Sequence, residues 1–122
     1  MATVMFVCAH GALKSRVAAA LFNACAPADW QAVSAGIEPQ EAVSVHAAPL
    51  VAGTAAAGLL DVTAPTAIAD APAAQQIIAI DCEIDGAATW TLNHREPGEP
   101  MRDEISDLVT ALTAELRTAV PR

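Results

Sequence analysis

Val4-Met5-Phe6-Val7-Cys8-Ala9-His10-Gly11-Ala12-Leu13-Lys14-Ser15 is the stretch that decides the fold. Its first half is a short apolar run containing β-branched residues, the pattern of a strand buried on both faces. A small-residue loop follows the cysteine and closes on Lys14 and Ser15, and Arg16 to Ala26 then reads as a helix. Val17, Ala18, Leu21, Phe22 and Cys25 recur at helical spacing, Ser15 stands where a cap belongs, and Pro27 stops the helix. In such a strand-loop-helix turn the backbone N–H groups converge and the helix adds partial positive charge. An anion or a thiolate is stabilised there. Cys8 in that position is expected to be ionised and nucleophilic; His10 beside it reads either as a group that lowers the thiol pKa or as an exposed loop histidine with no task.

Downstream, strands alternate with helices. Thr3–Val7, Gln31–Ser34, Gln76–Ile80 and Ala88–Leu92 read as strands, with turns at Ala35-Gly36 and Asp85-Gly86. His46 to Leu60 reads as a helix that tolerates Pro49 in its first turn and stops near Gly58. Ile37 to Val45 reads as a loop crossing the face of the sheet, and Val62 to Pro72 has no clear period but room for a short helical turn. Asp103 to Val120 places Ile105, Leu108, Val109, Leu112 and Leu116 on one face, an amphipathic helix ending at Pro121. The alternation implies a parallel α/β sheet with right-handed crossovers. Ligands bind at the C-terminal edge of such a sheet, where Cys8, Asp81 and the polar loop from Asn93 to Pro97 fall.

A chain of 122 residues supports one domain, 1–122, with one core. The net charge of -8, with only 6 Lys and Arg, argues against nucleic acid, which demands clustered cations. Without an ~18-residue apolar span a membrane helix is not expected, and a cytoplasmic location is. Cys8, Cys25 and Cys82 form no CxxC pair, so neither a metal site nor a disulfide framework is indicated, and no cofactor is expected. Cys25 is expected to be buried.

The chain resembles the low-molecular-weight protein tyrosine phosphatases and their thioredoxin-coupled arsenate reductase relatives. The resemblance rests on Val4 to Cys8 with Ser15 closing the loop, the helix with Ala18 to Leu21, and Val33-Ser34-Ala35-Gly36-Ile37. It continues through Ile77-Ile78-Ala79-Ile80-Asp81 and Arg102-Asp103-Glu104-Ile105, which opens the final helix. It implies a doubly wound, flavodoxin-like sheet of four parallel strands. It also implies that Cys8 is the nucleophile of a phosphate-binding loop formed by Ala9, His10, Gly11, Ala12, Leu13 and Lys14, with the Ser15 hydroxyl on the thiolate.

The departures from the family fall on the chemistry. Family members have arginine where Lys14 stands, and a planar fork holds two phosphoryl oxygens better than a mobile ammonium. They tend to have asparagine, which braces the loop, where Gly11 stands. Their proton donor is an Asp-Pro from the loop after the fourth strand; here His94 occupies the aspartate position counted from Trp90, and Glu96-Pro97 most nearly reproduces the dipeptide. Either side chain could donate the proton. Trp90 or Trp30 is available as a wall of the pocket.

Three activities stay open. One is a weak phosphomonoesterase using Cys8, Lys14, Ser15 and His94 or Glu96 on a phosphorylated small molecule or phosphoprotein. Another is a module that binds an inorganic oxyanion or a protein without turnover. The third is an arsenate-reductase-type thiol enzyme that also uses Cys82.

Overall fold

The computed structural model describes residues 1–118. Strands β1 (Ala2–Cys8), β2 (Trp30–Gly36), β3 (Gln76–Ile80) and β4 (Ala88–Trp90) form one parallel sheet in the order β2-β1-β3-β4. Helix α1 (Lys14–Cys25) connects β1 to β2, the short α2 (Ala47–Val51) follows β2, and α3 (Glu99–Thr118) follows β4. This is the α/β sheet that the sequence predicts, and its centre is β1, paired on both edges.

Side-chain alternation along β1 divides the interior. Val4 and Phe6 face the larger cluster with Val17 and Phe22 of α1, Leu50 of α2, and Met101, Ile105, Val109, Leu112 and Leu116 of α3. Phe6 meets Phe22 edge-on at 6.0 Å and Trp90 at 5.4 Å, so the few aromatics concentrate where the helices cross the sheet. Burying a side chain of that size contributes about 1.5–3 kcal/mol. Met5, Val7 and Ala35 point the other way, towards Val33, Ile68, Ile77, Cys82 and Ile84. That second face is covered by irregular chain with one 3-10 turn, Ile68–Asp70, in the region where the sequence has no period.

Several boundaries differ from the sequence reading. The predicted helix over 46–60 contracts to Ala47–Val51 because Gly53 takes a left-handed φ of 77° and turns the chain; only a 3-10 turn, Ala57–Leu59, follows. His46 sits at the α2 N-cap position. β2 runs through Ala35 and Gly36, which pair with Val7 and Cys8, instead of turning before them. β4 stops at Trp90, and Leu92 is buried beyond it. α3 starts earlier than Asp103, at Glu99, with Pro100 in its first turn, where a missing N–H costs nothing. Val120 and Pro121, the expected end of that helix, lie outside the described residues. Cys25 is exposed, contrary to expectation: it is the last residue of α1, and its thiol turns back to the Leu21 carbonyl on the solvent side.

Candidate active site

The loop from Cys8 to Leu13 hangs from the C-terminal end of β1, and its carbonyls all point out of it. The Cys8, Ala9 and His10 oxygens accept from the amides of Ile37 (3.2 Å), Glu38 (2.8 Å) and Gln40 (3.1 Å). Ala12 and Leu13 accept from the amides of Ser44 (2.9 Å) and Val17 (2.9 Å), and Gly11 accepts from Arg16 Nε at 3.0 Å. The 37–45 segment therefore runs alongside this loop at the strand tips and does not cross the sheet face. With the carbonyls engaged behind it, the loop turns its N–H side to the front. Among the described residues the amides of Ala9 to Leu13 donate no hydrogen bond within the chain. Free amides make an anion cradle where they converge.

Glycine is required at two places here. Gly11 adopts φ 64°, and a Cβ on it would lie 2.8 Å from the Gly36 nitrogen. A Cβ on Gly36 would in turn lie 2.6 Å from the Gly11 nitrogen. The loop thus rests directly on the backbone of β2, and the asparagine of the resembled family could not occupy position 11 in this geometry.

Cys8 is buried, and its Sγ lies 3.2 Å from Ser15 Oγ, itself fully buried. Ser15 does not cap α1, as its place in the sequence suggests. The N-cap residue is Leu13, and Ser15 lies one residue inside the helix, which aims its hydroxyl at the sulfur. A hydroxyl so placed donates to the thiolate once the thiol proton is lost.

Lys14 is not free beside this loop. Its Nζ donates to Asp81 Oδ2 at 2.7 Å, while Asp81 Oδ1 accepts from the Leu92 amide at 2.8 Å and lies 3.6 Å from Arg95 Nε. Asp81 holds φ 53° at the tip of β3, a backbone that Asp tolerates better than most residues. Burial works to raise the Asp81 carboxyl. The Lys14 hydrogen bond, the Leu92 amide and the charges of Lys14 and Arg95 outweigh it, and the carboxyl sits below the ordinary range.

Cys8, Ala9, His10, Ala12, Leu13 and Lys14 line a cavity of about 230 Å³, completed by Gln40, Ser44, Ile80 and Asp81. His10 Nδ1 lies 3.3 Å from the Glu38 carbonyl. Gly11 is set behind this wall. His94 and Glu96 are not among the lining residues: the backbone N–H groups of Asn93 and His94 both donate to Glu104 on α3. Those bonds hold the Glu104 carboxyl below its usual range. Trp90 and Trp30 pack on the core instead of forming a wall. Cys82 lies under the site, its thiol turned to the Val7 carbonyl at 3.6 Å; burial, and then the neighbouring Cys8, push it up. Asp81 bonds the neighbouring loop, as a strand-tip aspartate is expected to, but its grip on Lys14 is not readable from spacing. Nothing in the sequence signals Gln40 or Ser44.

The fold and the site together define an α/β protein with a cysteine loop at the sheet's C-terminal edge. Solved structures share this fold. An arsenate reductase from Archaeoglobus fulgidus is 26% identical, with a TM-score of 0.71 over 91% of this chain and 98% of that one. An arsenate reductase in a phosphate-binding state matches at 20% identity and TM-score 0.75, over 94% of this chain and 98% of that one. A low-molecular-weight protein tyrosine phosphatase from Bacillus subtilis matches at 20% identity and TM-score 0.74, over 96% and 98% respectively. No protein-family model matches the chain, and no curated protein matches it significantly. The structural neighbours are thus arsenate reductases and low-molecular-weight phosphatases, the group that the sequence resembles.

Proposed function

We propose that this protein is a cysteine-dependent phosphatase of low turnover, acting on a phosphomonoester of a small molecule or a phosphoprotein. The observation that carries the reading is the outward engagement of every carbonyl from Cys8 to Leu13, which leaves the amides of the loop free around a sulfur that has a hydroxyl 3.2 Å away. In the reaction the Cys8 thiolate attacks phosphorus, the ester oxygen leaves, and a phosphocysteine forms; water then cleaves the P–S bond and restores the thiolate. Loop amides hold the phosphoryl oxygens throughout. His10 supplies the proton to the leaving oxygen and takes one back from water, because it is the imidazole that lines the cavity. His94 and Glu96, the donors expected from the sequence, would need the 93–97 loop to leave Glu104.

The Lys14–Asp81 pair favours a second reading, a pocket that binds oxyanions with little turnover, because the cation that would stabilise the transferring phosphoryl group is already neutralised. Hydrolysis of an aryl phosphate separates the two readings. Turnover that is lost in Cys8→Ser supports the phosphatase. No turnover above that control, together with a phosphate-induced rise in the thermal midpoint, supports the binding module.

A further inference from the structure

We infer that Arg16 is the positioning residue of the anion loop. It stands in for the bracing side chain that position 11 cannot carry. The inference rests on the reading of the loop as an oxyanion cradle. Of the carbonyls from Cys8 to Leu13, Gly11 is the one held by a side chain; the others accept from main-chain amides, which side-chain truncation leaves in place. Arg16 is 2% exposed, an unusual place for a guanidinium, and it belongs to α1, which springs directly from the loop. Its Nε donates to Gly11 O at 3.0 Å while Nη1 donates to the Asp61 carbonyl and lies 3.4 Å from Asp61 Oδ1. Two nitrogens of one rigid plane therefore tie the back of the loop to the 61–66 segment. That segment is itself anchored on β2, where the Gly36 amide donates to the Thr66 carbonyl at 2.9 Å.

The geometry has a direct consequence for the cradle. Gly11 sits at φ 64°, and the direction of its carbonyl sets the orientation of the Gly11–Ala12 peptide plane, whose other end is the Ala12 amide. Holding Gly11 O backward turns the Ala12 N–H forward, towards the cavity that Ala12 lines. Releasing it lets this peptide rotate and removes one donor from the anion. Asp61 completes the brace from outside. Its carboxyl is opposed by burial but lowered by two bonds from Thr63 and by the Arg16 charge. A lysine at position 16 would keep a positive charge but could not span Gly11 O and Asp61 O as one planar fork.

The experiment compares the wild type, Arg16→Lys, Arg16→Met and Asn23→Ala by two readouts. One is inorganic phosphate affinity, from the thermal midpoint. The other is the pH profile of Cys8 alkylation, followed by mass spectrometry. Asn23→Ala is the stability control, since Asn23 ties α1 to the Ala32 backbone at 2.8 and 3.1 Å without touching the loop. Losing a charged-group hydrogen bond at the cradle predicts phosphate affinity about tenfold weaker in Arg16→Met. The alkylation profile should move to higher pH, the Arg16→Lys variant should be intermediate and folded, and Asn23→Ala should match the wild type in both readouts. If both Arg16 variants keep the wild-type phosphate affinity and alkylation profile, the brace is overturned. If the wild type itself binds no phosphate, the oxyanion reading fails, and the brace then stands or falls on whether the alkylation profile of Arg16→Lys moves.

Discussion

Lys14 Nζ and Asp81 Oδ2 lie 2.7 Å apart, so the cation that follows the Cys8–Leu13 loop is held by the aspartate at the tip of the neighbouring strand. Lys14 thereby lines the cavity in front of Cys8 but is already paired. Asp81→Asn separates these effects. Asparagine keeps an Oδ1 for the Leu92 amide and tolerates the left-handed backbone, yet it removes the charge that holds Lys14. The variant is expected to bind inorganic phosphate several-fold more tightly, by titration of the thermal midpoint. Its stability cost should be about 1 kcal/mol or less, because the pair is partly solvated.

Lys14→Arg adds a second donor. One guanidinium nitrogen can keep Asp81 while another reaches a phosphoryl oxygen, and the second contact is worth most in the transition state. Steady-state assays on an aryl phosphate should show a higher kcat with a smaller change in KM. An unchanged kcat would place the limit at the proton donor instead.

Acid should weaken the fold through its depressed carboxyls, of which Asp81 and Asp61 are two beside the exposed Glu104. Asp81 and Asp61 are both depressed in the folded protein, so each contributes stability that is present above its unfolded pKa of about 3.9 and is lost as pH falls through its lower folded value. Thermal midpoints measured from neutral pH down to pH ~3 should fall less steeply in Asp81→Asn than in the wild type.

Gly36→Ala tests the contact between the loop and β2. The added methyl would meet Gly11 N and His10 C at 2.6 Å, backbone atoms that cannot move aside. A loss of about 2–3 kcal/mol is expected by chemical denaturation, together with loss of phosphate binding. Gly58→Ala, whose Cβ meets nothing within 4 Å, is expected to be neutral in both.

The sheet was legible because β1 and β3 are continuous apolar runs, a pattern that sets strand length and burial without reference to partners. Helix α2 was not, since the apolar content of 46–60 is mostly alanine and hides the turn that Gly53 makes. Within the site, the resemblance paired Ser15 with Cys8, whereas the cap that spacing suggested for Ser15 falls at Leu13, which makes no side-chain capping bond. The Lys14–Asp81 bond and the Arg16–Gly11 bond join residues by strand adjacency and peptide orientation, which are properties of the folded chain. His94 shows the converse: counting places it at a catalytic position, whereas the amides around it bind Glu104.

Rapid mixing with an aryl phosphate, an acid quench and peptide mass spectrometry test the central claim most directly. The account predicts one phosphoryl group carried on the peptide containing Cys8, formed with a stoichiometric burst of aryl alcohol and absent in Cys8→Ser. Product formation at the same rate in Cys8→Ser, with Cys8 never phosphorylated in the wild type, would contradict it.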